Sequence, residues 1–427
     1  MRKVLFLALW AFSLTTLPAQ NVREQLKENL FKAGSNYYAY PTPVKPLTPA
    51  PNGKTPVYIS HYARHGSRFL IKSKDYDYPY QVLHKAARLG KLSDVGRQAF
   101  EKVELLCEEA RDRYGELTPL GPAQHRQIAQ RMYDRFPEVF QDKANIDAKS
   151  TVVIRCILSM ENELIQLAKN NPRLNFISDA SQHDMYYMNY QDSVLYKKRF
   201  PKETVERYTE FCKKHEAYKE PMARLFNDSA YVRDSIDTYE LNKALFKMAS
   251  SVQGTELRYH YNLFSIYTTD ELYNNWLQAN AYWYISFGCN PYNGAQQPFT
   301  QRHLLRRIIQ DADSCLALPK PGATLRFGHE TIVLPLTCLL GIDGFDRRFY
   351  DLEELDTNGW INFEVFPMAA NIQFIFYRKN AKDKDVLLKV LLNENEATLP
   401  ISTDCAPYYH WNDFRDFYLK KLDSYQE

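Results

Sequence analysis

The sequence predicts an α/β fold, built on a mostly parallel sheet with a helical insertion. Two observations support this prediction. Short apolar or β-branched runs recur along the chain, and amphipathic patterns of helical period separate them. Most of the middle of the chain is rich in tyrosine and shows helical patterns instead. A chain of 427 residues is also longer than one hydrophobic core usually covers, so a second unit is expected on size alone.

The first residues have the pattern of a signal peptide. Arg2 and Lys3 precede an apolar run, residues 4–17, which ends at Pro18 and Ala19. The run is too short for a membrane anchor, because crossing a bilayer takes ~20 apolar residues. We therefore expect residues 1–19 to be a signal peptide and the protein to be exported, either periplasmic or secreted. No later segment predicts a membrane span.

The remaining elements follow from periodicity and from the residues that interrupt it. Six prolines between Pro41 and Pro56 forbid regular structure before the first strand. Helices are predicted at 22–31, 124–136, 239–252, 270–285 and 301–316, and strands at 57–60, 151–154, 324–327, 371–377 and 386–392. Glu161, Glu163, Asp311 and Asp313 fall near helical patterns and are expected to face solvent.

The charge balance disfavours a nucleic-acid partner. The formal net charge is +3, from 54 basic and 51 acidic residues. Without Arg2 and Lys3, 52 basic residues face 51 acidic ones, which leaves +1. An anionic ligand must therefore be held by a local basic cluster.

The cysteines do not indicate a metal site. Seven cysteines lie far apart, with no CxxC pair and no paired histidine spacing. Structural zinc sites usually show such patterns, so neither a metal nor another cofactor is expected.

Arginine and histidine residues lie where three predicted strands end. Arg64, His65 and Arg68 follow the first strand, Arg155 ends the second, and His329 follows the third. Ligands of open α/β sheets bind beyond the carboxyl ends of the strands. We therefore expect these five side chains to converge.

Their chemistry fits a phosphate group. Guanidinium groups bind phosphate oxygens through paired hydrogen bonds and offset the charge of a phosphoryl group in transfer. Nearby arginines also disfavour imidazolium, which keeps a histidine lone pair available for attack on phosphorus. A single Arg-His-Gly would be weak evidence, because arginines pair with surface acids and histidines often occupy cores. Repetition at three strand ends favours a phosphate-transfer site.

Several motifs resemble those of a known family. Residues 62–68, YARHGSR, resemble the RHGxR signature of the histidine acid phosphatases, and residues 117–121, LTPLG, resemble the LTxxG segment that follows. Residues 150–155, with Ser159 beyond them, resemble the segment that carries the third arginine, and residues 327–329 that of the second histidine. The segments LPL at 334–336, PMAAN at 367–371 and VLLNE at 390–394 are similar to those of multiple inositol polyphosphate phosphatases.

The resemblance implies an architecture and a mechanism. Residues 20–170 and 300–427 would form an α/β core of histidine phosphatase type, with residues 171–299 as an inserted helical domain and the active site in the cleft. His65 would attack phosphorus to give a phosphohistidine, while Arg64, Arg68, Arg155 and His329 hold the phosphate without a metal. The implied substrates are inositol hexakisphosphate and lower inositol polyphosphates.

The chain departs from that branch directly after His329. The branch typically has alanine and then a glutamate that donates the proton, whereas Glu330 and Thr331 stand here. Glu330 occupies the place of the aspartate in acid phosphatases and phytases. We expect Glu330 to be the general acid. The alternative is that another carboxyl group, or the substrate itself, supplies the proton.

Three points stay open at the level of the sequence. Lys72 and Lys74 are candidates for contacts with peripheral phosphates, although exposed lysines are usually only solvated. The position of Glu330 favours a second function, a broad acid phosphatase acting on sugar phosphates or nucleotides. The unusual residues after His329 allow a third, an exported protein that binds phosphate esters without turnover.

Overall fold

The computed structural model describes residues 21–43 and 45–426. Within them the fold is α/β, centred on an eight-stranded sheet in the order β3-β2-β4-β1-β5-β6-β7, with β8 paired to β6. The strands are β1 (Thr55–Arg64), β2 (Asn145–Ser150), β3 (Asn175–Asp179), β4 (Gly322–Gly328), β5 (Asn371–Arg378), β6 (Leu387–Leu392), β7 (Asn395–Glu396) and β8 (Tyr409–His410). β1, β2, β3 and β4 are parallel, whereas β5 and β6 continue the sheet in antiparallel fashion.

Helices surround the sheet. The α-helices are α1 (Val22–Glu28), α2 (Lys74–Arg88), α3 (Asp94–Glu109), α4 (Leu120–Arg135), α5 (Ile154–Asn170), α6 (Met185–Met188), α7 (Ser193–Lys197), α8 (Lys202–Lys214), α9 (Lys219–Ala223), α10 (Ser229–Ser235), α11 (Thr238–Ser251), α12 (Thr269–Phe287), α13 (Arg302–Leu316), α14 (Glu330–Leu340), α15 (Asn362–Val365) and α16 (Trp411–Asp423). A 3₁₀ segment, Leu30–Tyr37, follows α1. Among these helices none is long and apolar enough to cross a membrane.

Two apolar clusters cover the two faces of the sheet. Ile59 and Ala63 of β1 are fully buried on one face, where they pack with residues of α4 and α5. Tyr58 and Tyr62 point to the other face, where the apolar cluster extends into α11, α12 and α14. This alternation follows from the two-residue period of a strand. Every residue of β4, β5 and β6 is buried, as expected for strands that are covered on both faces.

Most predicted elements are confirmed. Observed strands cover residues 57–60, 324–327 and 371–377 and all but the first residue of 386–392, and the five predicted helices overlap helical segments. The strand predicted at 151–154 is wrong, because β2 ends at Ser150 and α5 begins at Ile154. The run is not buried as a whole either, since Thr151 is buried but Val152 is 44% exposed and Ile154 is 72% exposed.

The predicted domain boundary at residue 171 lies between α5 and β3. The expected insert, residues 171–299, contains β3, which pairs with β2 at the edge of the sheet. A boundary at this position would therefore separate β3 from the rest of the sheet. The division into two domains stays a prediction. The signal peptide expected at residues 1–19 lies outside the described residues.

The sheet brings the predicted strand ends together. Arg64 at the end of β1 is paired with Gly328 at the end of β4, and Ser150 of β2 is paired with Phe327. β5 starts at the same edge, where Asn371 is paired with Ala63. The carboxyl ends of three parallel strands thus form one floor for a site.

Candidate active site

Backbone hydrogen bonds from both neighbouring strands fix the loop after β1. The N–H of Arg64 donates to the carbonyl of Ala370 over 2.7 Å, and the N–H of His65 donates to that of Gly328 over 2.9 Å. The carbonyl of His65 in turn accepts from the N–H of Ala369 over 3.0 Å. The loop is therefore held on both sides before any side chain acts.

Gly66 allows this loop to pack directly on the start of α4. A Cβ at Gly66 would lie 2.5 Å from the carbonyl oxygen of Gly121, which is too close for any side chain. The N–H of Gly66 donates to Ser159 Oγ over 3.1 Å, and that of Ser67 donates to Gln124 Oε1 over 2.8 Å. Two helices thus hold the loop through side-chain acceptors.

The His65 ring is oriented as a nucleophile would need to be. Its Nδ1 lies 2.9 Å from the carbonyl oxygen of Gly66. Because a carbonyl only accepts hydrogen bonds, Nδ1 carries the proton and Nε2 of the neutral ring has its lone pair free. Burial and the positive charges of Arg64, Arg68 and Arg155 hold the pKa of His65 well below its usual value. The ring is therefore neutral near pH 7.

Guanidinium groups with individual unpaired donors act on this lone pair. Arg64 Nη1 donates to the carbonyls of Asn36 (2.5 Å) and Phe366 (2.9 Å), whereas Arg64 Nη2 has no hydrogen-bond partner among the described residues. The buried Nε atoms of Arg68 and Arg155 also lack partners there. Buried donors are nearly always satisfied in folded proteins, so these donors are available to an anionic ligand.

Arg155 reaches the site from a helix and not from a strand end. It lies in the first turn of α5, one residue after the helix begins, and its charge acts on His65. The amide groups and dipole at a helix N-terminus add to the attraction for an anion.

His329 lies opposite His65, directly before α14. The two ring centroids are 5.7 Å apart at an interplanar angle of 72°. Thr151 Oγ1 is 3.4 Å from His329 Nε2, and Cys156 Sγ is 3.8 Å from it. Burial lowers the pKa of His329 to about 4, more than the attraction of Glu330 raises it. His329 is therefore a neutral hydrogen-bonding group at pH 5 and above.

Glu330 lies next to both His65 and Arg64. Its Oε2 is 3.1 Å from Arg64 Nε and 3.7 Å from His65 Nε2. Asn36 Nδ2 is 3.5 Å from Oε1. Burial raises the pKa of this carboxyl group, but the attraction of Arg64 and Arg68 outweighs it and lowers the pKa to about 2. The carboxylate is therefore ionised and paired with Arg64.

Lys72 and Lys74 lie beyond this cluster. Both are exposed, and they line a cavity of about 650 Å³ between α2 and α11. Lys243 and Lys247 of α11 line the same cavity. These two lysines also line a second cavity that includes Asn36 and Tyr37, which adjoin Arg64 and Arg68.

Sequence reasoning missed the contribution of residues 36 and 37. The carbonyl of Asn36 accepts from Arg64, and the guanidinium of Arg68 lies 5.2 Å from the ring centroid of Tyr37. Both residues belong to the 3₁₀ segment before β1. No motif marks them, because the contact of Asn36 with Glu330 spans 294 residues of sequence.

The site suits an anion better than a metal ion. The ligand atoms of His65, His329 and Glu330 all lie within 4.8 Å of one another, which is close enough for one cation. However, Arg64, Arg68 and Arg155 act on the same space and would repel it. A phosphate group matches this charge.

The sequence matches the family model of the histidine phosphatase superfamily (branch 2) over residues 62–393. The chain belongs to this superfamily. It is therefore a histidine-type phosphatase. Comparison with curated proteins gives no match.

Solved structures with the same fold include enzymes that act on inositol phosphates. The multiple inositol polyphosphate phosphatase of Bifidobacterium longum, in complex with inositol hexasulfate, has a TM-score of 0.75 and 17% identity, over 89% of this chain and 96% of that one. The phytase from D. castellii has a TM-score of 0.64 and 12% identity, over 97% and 90%. Hafnia alvei phytase has a TM-score of 0.51 and 14% identity, over 87% and 98%. At these identities the likeness concerns the fold.

Proposed function

We propose that this phosphatase transfers a phosphoryl group from a phosphate monoester to His65. The observation that carries the proposal is the His65 Nε2 lone pair, which is buried without a hydrogen-bond partner among the described residues and faces unpaired arginine donors. In the first step Nε2 bonds to phosphorus while the bond to the ester oxygen breaks. Water then attacks phosphorus and releases inorganic phosphate and the free histidine.

Arg64, Arg68, Arg155 and His329 would bind the transferring group. The three guanidinium groups supply fixed positive charge around the equatorial oxygens, where charge accumulates during transfer. The neutral His329 ring, 5.7 Å from His65 between centroids, supplies a further hydrogen bond. These donors are already in place, so little reorganisation is needed during reaction.

Glu330 would donate the proton to the leaving alkoxide. With a pKa of about 2 it is ionised in the free protein. An incoming phosphate competes for Arg64 and brings negative charge beside the carboxylate, and both effects raise the pKa of Glu330. Binding would thereby load the general acid with its proton. Glu330 is favoured over another carboxyl group because its Oε2 lies 3.1 Å from Arg64 Nε and 3.7 Å from His65 Nε2. A substrate that supplies its own proton is the alternative, and the Glu330→Gln variant distinguishes the two.

Inositol hexakisphosphate and lower inositol polyphosphates are the proposed substrates. Two cavities near the site support them, because peripheral phosphates would reach Lys72, Lys74, Lys243 and Lys247 while one phosphate meets His65. Asp75, Asp237 and Glu240 also line the larger cavity, and Glu240 pairs with Lys243 over 3.3 Å. Asp75 pairs with Lys247 over 2.6 Å, whereas Lys72 and Lys74 form no ion pair within the described residues. The fold is also that of an enzyme crystallised with inositol hexasulfate.

Two finer expectations belong to the same proposal. The N-terminal pattern would export the protein to the periplasm or medium, where such phosphates are encountered. The segment from about 171 to 299, β3 apart, would act as the cap domain that limits substrate access.

The test measures phosphate release from inositol hexakisphosphate and from p-nitrophenyl phosphate without added metal. Lys243→Met and Lys247→Met should each lower kcat/KM for the hexakisphosphate about two- to fivefold, because each removes one exposed charge contact. Neither should change hydrolysis of p-nitrophenyl phosphate, and Lys420→Met on α16 is the matched control.

The outcomes separate the three candidate functions. Turnover of both substrates, with lysine effects confined to the hexakisphosphate, supports the proposal. Turnover of p-nitrophenyl phosphate alone indicates a broad monoesterase, which the position of Glu330 also favours. Binding of either ester without release indicates a binding protein.

A further inference from the structure

A mixed group of metal-ligand side chains lies at the opposite edge of the sheet. Asp404, Cys405 and His410 each direct one ligand atom to a common space, and the three atoms lie within 4.8 Å of one another. His410 Nε2 is 3.0 Å from Asp404 Oδ1 and 4.0 Å from Cys405 Sγ. Cys405 is a free, partly buried thiol. Thiolate, imidazole and carboxylate are the ligands that zinc prefers.

These separations are close to those of a tetrahedral zinc site. Zinc binds sulfur at ~2.3 Å and nitrogen or oxygen at ~2.0–2.1 Å, so tetrahedral angles place sulfur ~3.6 Å from nitrogen and nitrogen ~3.3 Å from oxygen. The corresponding distances here are 4.0 and 3.0 Å. Shifts of about 0.3–0.4 Å would bring these two pairs to the tetrahedral values. The third pair, a carboxylate oxygen of Asp404 and Cys405 Sγ, lies within 4.8 Å. Asp404 is 82% exposed, so an ion from solvent can reach the group.

The second ring nitrogen of His410 is also held as in metal sites. Nδ1 lies 2.7 Å from Asp385 Oδ1, and Asp385 is itself paired with Lys54 over 3.1 Å. When Nδ1 donates its proton to this carboxylate, the lone pair of Nε2 faces Asp404 and Cys405. Histidines that bind metals almost always donate their other N–H to such a partner, which fixes the tautomer and the ring orientation.

We propose that Asp404, Cys405 and His410 bind one Zn²⁺ ion, with water as the fourth ligand and Asp385 as the outer partner of His410. The bound ion would join the loop before β8 to the segment before β6. The sequence showed no zinc pattern, because one loop and the strand after it supply the ligands in the order Asp, Cys, x₄, His, without a CxxC pair.

This site is separate from the phosphatase chemistry. His410 is paired with Leu387, which is paired with Tyr377, and Tyr377 is paired with Pro56 at the start of β1. His65 follows the other end of β1, about 30 Å away at 3.3 Å per residue. The ion would therefore stabilise the fold and take no part in hydrolysis.

The competing explanation is a protonated His410 that bridges two aspartates. Zinc titration of the full-length, chelator-treated protein against a chromophoric competitor distinguishes the two. We expect one equivalent of zinc in the wild type, and Co²⁺ should give a thiolate-to-cobalt charge-transfer band. Cys405→Ser and His410→Gln should abolish both signals. Asp385→Asn should weaken zinc binding by about 10- to 100-fold.

Control variants distinguish zinc bound by the proposed ligands from zinc bound elsewhere on the protein. Cys212→Ser, on α8, should bind zinc as the wild type does, and Cys405→Ser should keep full phosphatase activity. If Cys405→Ser does not fold, Asp404→Asn replaces it, because this exposed side chain is not needed for packing. An absence of stoichiometric binding, or an equivalent that survives in the loop variants but is lost in His65→Ala, would overturn the proposal.

Discussion

Replacing Glu330 with glutamine separates the two effects that the structure assigns to this side chain. In the free protein the carboxylate is attracted to Arg64 and Arg68, and its pKa falls from 4.5 to about 2. This difference corresponds to roughly 3 kcal/mol of net attraction, or about 300-fold in an equilibrium constant. A phosphate must break that attraction in order to bind. Glutamine removes the charge but keeps the size.

Sulfate is the suitable probe, because its charge does not change between pH 3 and 8. A bound sulfate competes for Arg64 and repels the carboxylate, so the pKa of Glu330 is higher in the complex than in the free protein. Binding is then coupled to proton uptake, and wild-type affinity should rise as the pH falls through the pKa of the complex towards 2. In Glu330→Gln this increase should disappear, and sulfate affinity at pH 7 should be higher by up to about 10²-fold. Protonation of His329, whose pKa is lowered by burial to about 4 against the attraction of Glu330, also contributes at low pH and shifts when Glu330 is replaced. The decisive quantity is therefore the difference in sulfate affinity at pH 7, where the His329 ring is neutral in both proteins.

The same variant should lose general acid catalysis. Hydrolysis of an alkyl phosphate should slow by about 10²- to 10⁴-fold, whereas p-nitrophenyl phosphate, whose leaving group hardly needs a proton, should be affected far less. Isothermal titration with sulfate and steady-state kinetics on both esters measure the two effects. Equal rate losses on both esters, together with unchanged sulfate affinity, would refute both roles of Glu330.

Two further predictions concern the loop that carries the nucleophile. Gly66→Ala should destabilise the protein by more than about 2 kcal/mol and abolish activity, because the new Cβ would lie 2.5 Å from the backbone of Gly121. Thermal unfolding measures this loss of stability. Gly254→Ala is the control, because its Cβ would lie at an ordinary contact distance of 3.4 Å from the Cβ of Ser67. Ser159→Ala should cost about 1 kcal/mol in stability and lower kcat more than it raises KM, since it leaves the N–H of Gly66 without its 3.1 Å acceptor; an unchanged kcat would show that this hydrogen bond does not position the loop.

The residues of the site that follow directly after a strand could be predicted from local sequence patterns. A strand followed by YARHGSR places Arg64, His65 and Arg68 at a strand end whatever the rest of the chain does. His329 follows in the same way from β4, and the parallel pairing of β1 with β4 brings the two histidines together. These residues needed only the period of a strand and the rule for its carboxyl end.

Arg155 shows where such reasoning fails. Residues 151–154 are all β-branched, which favours a strand, yet the chain leaves the sheet after Ser150. The N–H of Thr151 makes a last bond with the carbonyl of Phe327, and α5 begins three residues later. The tertiary structure, in which α5 packs on the sheet, therefore overrides the strand propensity of these residues.

The prediction that Glu163 and Asp311 face solvent is wrong for a related reason. Glu163 is fully buried and accepts a hydrogen bond from His125 Nδ1 over 2.8 Å, and Asp311 pairs with the buried Arg326 over 2.5 Å. Each acid is held by a partner on another element. Helical periodicity predicts which face of a helix a residue occupies. It does not show whether a neighbouring element places a buried arginine or histidine next to that face.

The central claim is that His65 carries the phosphoryl group, and rapid acid-free quenching with labelled substrate tests it most directly. The protein is mixed with a phosphate monoester, denatured in alkali within the first turnover, and digested for mass spectrometry. We expect one phosphoryl group on the peptide that contains His65. This adduct should be stable in alkali, labile in acid and absent in His65→Ala. Phosphate release without any such adduct, or an adduct that persists in His65→Ala, would contradict it.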